Sequence, residues 1–196
     1  RAVPSPRALE YRNRVAFAVM RNGNRRQLAF RRRGRDARTL VPIERCHLAP
    51  PAASELAQAL LDRVPHEGAR RGAPGRKVSR IEMRGSLSSG EWIAVVHTSG
   101  GRWPALERAA AALVESEPRL VGVVRAGEEG RGRRGGAWPL AGADHVVEIF
   151  GDVRVGLGAT SFLQVNPAAA AELYRVVGEL LHRDGSPERL LDLYCG

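Results

Sequence analysis

The residues whose types and spacing could do chemistry stand at the two ends of the chain. The last seven, Leu190-Leu191-Asp192-Leu193-Tyr194-Cys195-Gly196, form an apolar run that carries an acid and closes on a glycine. A strand ending in an acidic residue and a tight glycine turn lets backbone approach a nucleotide-like cofactor, with the next helix N-terminus aimed at it. Upstream, Ser161-Phe162-Leu163-Gln164-Val165-Asn166-Pro167 sets an amide that both donates and accepts just ahead of a helix start. At the other end, residues 1–50 hold 13 arginines against three acids, whereas residues 51–196 hold 18 basic and 18 acidic side chains. The whole net charge of +10 therefore sits in the first quarter of the chain. Such a concentration is the electrostatic footprint of polyanion binding, most often of nucleic acid. Lys77 is the single lysine, so the use of arginine reflects coding bias rather than a choice of bidentate phosphate recognition.

Cys46 and Cys195 lie far apart in different contexts, which speaks against a disulfide framework. The five histidines, at 47, 66, 97, 145 and 182, show no metal-ligand spacing, and His97 reads as a packed or edge residue of an apolar strand. Trp92, Trp103 and Trp138 are able to stack on bases, although Trp92 alternates into a strand and reads as core. Arg31-Arg32-Arg33-Gly34-Arg35 suits either a grip on phosphates or a solvated hairpin end.

These groups need elements to hold them. Arg14–Met20 and Gln27–Arg31 flank Asn22-Gly23-Asn24 and read as a hairpin, with a third strand at Thr39–Ile43. Pro50-Pro51 leads into a helix from about Ala53 to Val64, with Leu56, Leu60 and Leu61 on one side. Val78–Arg84 and Trp92–Thr98 form a second hairpin, followed by a helix from Pro104 to Glu115 and a strand at Leu120–Val124. Residues 65–77 and the Gly- and charge-rich segment 126–137 read as loop or mobile linker. Asn166 as N-cap and Pro167 in the first turn open a helix to about His182, and this helix delivers a terminal strand. The expectation is an α+β central domain, mostly antiparallel with helices on one face, over residues 1–137 and basic at 1–50. Residues 138–196 then form the entry segment, first helix and first strand of a second, incomplete domain.

Bulk properties fit that picture. Apolar content of 43% supports a buried core, and no apolar run spans a bilayer. No signal-peptide pattern opens the chain, and its start at Arg1 fits an internal fragment, so a cytoplasmic monomer without membrane contact is expected.

Three segments, in order, resemble the RNA uracil-C5 methyltransferases, which make 5-methyluridine in ribosomal and transfer RNA. They are Tyr11-Arg12-Asn13-Arg14 opening a basic hairpin, with Phe30-Arg31 and then Cys46 before a proline-led helix; the Phe162-x-Gln164-x-Asn166 segment; and Leu191–Gly196. Residues 1–60 and 145–196 carry the resemblance. It implies a Rossmann-like α/β domain that binds S-adenosylmethionine, begun at the end of this chain. It also implies that a cysteine thiolate adds to carbon 6 of a flipped-out uracil, that carbon 5 takes the methyl group, and that a base removes the carbon-5 proton. By the same resemblance the nucleophilic cysteine and the base lie beyond Gly196, so Cys195 is not the nucleophile and this chain alone is expected to be inactive. Gln164 and Tyr194 match cofactor contacts; Arg12, Arg14, Arg31, Arg32 and Arg33 are the RNA-facing candidates. Many family members hold a 4Fe–4S cluster through three upstream cysteines and a fourth at the place of Cys46, usually followed by proline. Here His47 follows and no cysteine stands upstream, and one thiolate does not hold a cluster that needs four ligands, so no cluster is expected in this chain and Cys46 is the fourth-ligand candidate only for a 4Fe–4S cluster of an intact protein. Two other readings stay open: a non-catalytic RNA-binding module, or an S-adenosylmethionine-dependent methyltransferase of another substrate class.

Overall fold

Alternation along the first strands sorts the chain into layers. In β1 (Arg14–Asn22), Val15 and Phe17 are buried in the main core while Arg14, Ala16 and Ala18 point to the other side. The same switch recurs in β4 (Val78–Gly85), where Ile81 and Met83 enter the core and Arg80, Glu82 and Arg84 face away from it. A period of two with one apolar side is what lets a sheet bury one face under helices. The computed structural model describes residues 2–23, 25–34, 39–64, 76–99, 102–127, 136–183, 185 and 189–193.

The described elements begin in the expected order. β1, β2 (Arg25–Arg31) and β3 (Leu40–Pro42) are followed by α1 (Pro51–Arg63), then β4, β5 (Trp92–Thr98), α2 (Pro104–Ser116) and β6 (Leu120–Gly127). Asn22 pairs with Arg25 across a two-residue turn that Gly23 enters at φ +59°, as the Asn-Gly-Asn signal requires. Leu56, Leu60 and Leu61 of α1 and Leu106, Ala110 and Leu113 of α2 are buried against one face of the sheet, together with Trp92 and Trp103. All pairings in the sheet are antiparallel except β5 with β6, whose connection is α2.

Three strands go beyond the expectation. β7 (Ala137–Gly142) pairs with β6, so the seven-stranded sheet of order β3-β2-β1-β4-β5-β6-β7 runs through Gly142. β8 (His145–Phe150) and β9 (Val153–Gly158) form a separate hairpin on the helix-free face, where Val146 and Leu157 cover Ile93. Its signal is present as alternation around the two-residue turn Gly151-Asp152, with Gly151 at φ +57°. Of the segment read as a linker, Ala126 and Gly127 close β6 and Ala137 opens β7, while 128–135 lie outside the described residues. Most of the loop read at 65–77 also lies outside them, as does His66.

Gly122 sits where β6 meets the end of β7. A Cβ there would lie 1.7 Å from the Ala143 carbonyl oxygen, a backbone atom with no room to give. Gly122→Ala is expected to destabilise the chain by about 1–3 kcal/mol, the range for overpacking a closed site. A urea midpoint equal to that of the wild type would refute the contact.

α3 (Pro167–Leu181) starts as read. The Asn166 side chain accepts from the Ala169 amide at 3.1 Å, and Pro167 occupies the first turn. Tyr174 meets Phe150 of β8 edge-on at 5.9 Å, while Leu173, Val177 and Leu180 remain exposed. The strand expected after this helix is a correction. Residues 189–193 carry no strand, and Leu190, Leu191 and Leu193 are exposed. A strand is a ladder, and among the described residues no partner pairs with this segment. Tyr194, Cys195 and Gly196 lie outside the described residues.

Candidate functional site

Register decides what the helix-free face displays. Arg14 stands opposite Arg84, Ala16 opposite Glu82 and Ala18 opposite Arg80; Arg80 and Glu82 in turn face His97 and Val95 on β5. Small residues at the ends of β6 and β7 and in the loop after β9 (Ala126, Gly127, Ala137 and Ala159) border a space above the sheet, and arginines of β1 and β4 line it. The result is a groove of about 650 Å³ lined by Arg14, Arg31, Arg80, Glu82, Arg84, His97 and Thr160.

Glu82 organises the groove. Its side chain is 3% exposed, yet it meets three guanidinium groups. Arg14 Nε and Arg84 Nε both donate to Oε1 at 2.7 Å, and Arg80 Nη2 donates to Oε2. Burial works to raise the Glu82 carboxyl, but the Arg14 hydrogen bond and the charges of Arg84, Arg14 and Arg80 outweigh it and hold the group below its ordinary range. Burial lowers Arg84 from its usual value, while Glu82 pulls it back up. The two shifts oppose each other for one ion pair, and Arg84 stays charged because the ordinary guanidinium value lies so high. Three cations around one anion leave the cluster positive.

The four members differ in exposure. Arg14 and Arg80 are 38% and 44% exposed and turn part of their guanidinium to the groove. Arg84, at 9%, faces inward and spends Nη1 on two main-chain carbonyls, Gly158 at 2.9 Å and Ser161 at 2.5 Å. The Ser161 amide donates to the Gly158 carbonyl, and the Gly158 amide donates to Ser161 Oγ, which closes the loop on itself. That loop runs on into Phe162-Leu163-Gln164.

The two segments singled out at opposite ends of the chain meet at Asn13. Its amide donates to the Val165 carbonyl at 3.0 Å, its side-chain Nδ2 donates to the Gln164 carbonyl at 3.3 Å, and its own carbonyl accepts from Gly85 at 2.8 Å. Asn13 is buried, and it holds the Gln164 backbone against the start of β1. The Gln164 side chain is exposed and offers its amide outward. Nothing in the sequence spacing distinguishes Asn13 from its arginine neighbours.

A second buried carboxylate, also missed, ties the hairpin down. Glu148 on β8 is buried and accepts from the Leu87 amide at 2.7 Å and the Ser88 amide at 3.1 Å, in the turn between β4 and β5. Its one sequence signal is an acid at an inward position of an apolar strand.

The arginine-rich first quarter divides between tasks. Arg14 and Arg31 line the groove, and Arg32 and Arg33 are exposed just beyond the end of β2. Arg12 is half-buried, its amide bonded to the Leu48 carbonyl, and it stands apart from the groove lining. Arg26 donates to the Leu61 and Val64 carbonyls and so caps the C-terminus of α1, a structural use of positive charge. Cys46 is buried in the main core, with its amide bonded to Ser54 Oγ at 3.0 Å. Among the described residues no three His, Cys, Asp or Glu side chains stand together, so the residues present do not fit a four-ligand cluster. Gln164, with a fixed backbone and an exposed amide, fits one contact to a zwitterionic cofactor; Tyr194, the other candidate, lies outside the described residues. None of the described helices is long and apolar enough to cross a membrane.

No family model matches the chain. It is similar to an uncharacterized RNA methyltransferase of Listeria monocytogenes, 26% identical over 192 residues, which is 95% of this chain and 41% of that protein. A second uncharacterized RNA methyltransferase, from Synechocystis, is 28% identical over 203 residues, covering 98% of this chain and 42% of the relative. Among solved structures the fold matches the tRNA (uracil-54, C5)-methyltransferase of Pyrococcus abyssi, determined in complex with S-adenosyl-L-homocysteine. The TM-score is 0.67 at 20% identity, over 91% of this chain and 42% of that one. The chain thus spans about two fifths of the length of the relatives it matches. The resemblance to RNA methyltransferases read from the residues is borne out by these relatives, and the structural likeness shows the fold.

Proposed function

We propose that this chain is the RNA-facing part, with the entry to the cofactor domain, of an S-adenosylmethionine-dependent RNA (uracil-5-)-methyltransferase. The observation that carries the reading is Asn13, which joins the basic sheet to the loop of Gln164 through one buried side chain and its backbone. A methyltransferase on RNA must hold a polyanion and a cofactor side by side, and here the candidate residues for each converge. In this reading the cofactor, when bound, supplies the methyl group. Gln164 donates and accepts at its polar end, Arg31, Arg32 and Arg33 neutralise phosphates, and the Asn13 bridge fixes the distance between the two. By the family resemblance the attacking thiolate and the base lie outside this chain, and neither Cys46 nor Cys195 takes that role. The pairing of β7 with β6 supports moving the boundary between the two domains from residue 137, where the sequence reading sets it, to Gly142.

RNA binding tests the reading. Fluorescence anisotropy with a labelled uridine-containing hairpin is expected to give an affinity that falls steeply with salt, as counterion release demands. Replacing Arg31, Arg32 and Arg33 together by alanine is expected to lower the salt slope by about 1 for each phosphate no longer neutralised, without changing the urea midpoint. Absence of binding at low salt, or an unchanged slope in the triple variant, would sink the assignment of this region to RNA.

A further inference from the structure

The Glu82 cluster has two sides. One looks into the groove through Arg14 and Arg80; the other, Arg84, holds the Gly158–Ser161 loop through two carbonyls. Both sides meet at a single atom, because Arg14 Nε and Arg84 Nε share Glu82 Oε1 at 2.7 Å each. A carboxylate oxygen shared between two guanidinium groups is divided between them, and removing one donor leaves it to the other.

We infer that the groove seats a backbone phosphate of single-stranded RNA between Arg14, Arg80 and Arg31, and that Arg84 is a positioning residue carrying the occupancy of that seat to the Gln164 loop. This rests on the RNA reading above and adds a link between its two halves. The seat suits an anion: three guanidinium groups line it, its volume lies within the range of about 300–1,000 Å³ usual for ligand clefts, and the small residues Ala126, Gly127, Ala137 and Ala159 share the lining. The single anion beneath it is buried and already satisfied, so it orders the arginines rather than repelling a phosphate at the surface. When Arg14 and Arg80 turn to the phosphate, Glu82 is left to Arg84. Arg84 is then held more firmly under the carbonyls of Gly158 and Ser161, and the loop leading to Gln164 stiffens. The backbone in front of the cofactor site is thereby fixed only when RNA is in place. Asn13, bonded to Gln164 and Val165 and adjacent to Arg14, is the short second route between the same two points.

The test is amide hydrogen exchange at Gly158 and Ser161, read by NMR with and without a saturating ten-nucleotide uridine-rich RNA, alongside anisotropy for binding. In the wild type, RNA is expected to slow exchange at both amides about fivefold, the signature of a local opening made rarer. Arg84→Lys keeps a charge but puts every donor on one nitrogen, so it cannot hold Glu82 and the two carbonyls from separate atoms as Nε and Nη1 do. It is expected to cut the RNA effect on exchange, read at saturating RNA, to less than about twofold. Arg31→Ala, outside the Glu82 cluster, is expected to weaken binding and yet preserve the slowing once RNA saturates. If RNA binds and the two amides do not respond, the coupling is overturned and the RNA reading stands. If RNA does not bind at all, both fall. If Arg84→Lys retains the full slowing, Arg84 is not the link and the inference fails on that point alone.

Discussion

Glu82→Ala is expected to lower the stability of the chain by about 3–5 kcal/mol, the cost of removing one partner from a buried ion pair. The size of the effect turns on which arginine is left behind. Arg14 and Arg80 are more than a third exposed and recover hydration, so their pairs contribute little, about 0–1 kcal/mol each. Arg84 is buried, with Nε aimed at the vacated carboxylate, and has nowhere to take its charge. The effect is read as a drop in the urea midpoint at neutral pH, and a loss smaller than that of an exposed ion pair would refute the account. Acid titration gives a second reading with a defined sign. The folded carboxyl lies below its ordinary value, since three arginines outweigh the burial that would raise it. The unfolded chain therefore takes up this proton first. The stabilisation is complete above the ordinary Glu value, about 4.3, and is lost as the pH falls through the lower folded one. Glu82→Gln removes that titration, and its stability should depend less on pH over this acidic window than that of the wild type.

Glu148→Ala is the other large effect, about 2–4 kcal/mol, because it strips a buried acceptor from the Leu87 and Ser88 amides. Those donors sit in the turn between β4 and β5, and Glu148 is their link to the β8–β9 hairpin. Losing it unfastens the hairpin that covers Ile93 and carries the Gly158–Ser161 loop. Glu148→Gln is expected to fall nearly as far, since only one of its two terminal atoms accepts and the other presents a donor to a donor. Hydrogen exchange separates local from global loss: amides of β8 and β9 should lose protection ahead of those of β1 and β4. Equal loss across the whole sheet would mean that the hairpin is not a separate unit.

Proteins built this way split their charge between function and structure, and composition alone does not show where the split falls. The first quarter of the chain carries the whole net charge, yet Arg26 caps a helix and Arg14 is half committed to Glu82. Among the described residues of that quarter, Arg14 and Arg31 line the groove and Arg32 and Arg33 stand exposed beyond β2, so only part of the count is placed there.

The first eight elements and α3 are legible in the amino-acid sequence because their signals are local. Alternation with one apolar side sets a strand under a helix, Asn-Gly sets a two-residue turn, and proline after asparagine opens α3; each acts within a few residues. The positive first quarter and the pairing of the Gln164 segment with a family of RNA methyltransferases are equally present in the order of residues. The carboxylates that tie these parts together are not. Glu82 is an acid in an alternating strand like many others until register puts Arg14 opposite Arg84 and brings three guanidinium groups to one atom pair. Asn13 becomes a bridge only when residues more than a hundred positions apart come within hydrogen-bond distance. The terminal apolar run shows the converse: composition marks Leu190–Leu193 for a strand, but a strand exists only against a neighbour, and among the described residues none pairs with it. Local propensity and charge are properties of the chain; which buried charge meets which partner is a property of the folded surface, decided by register and burial across distant segments.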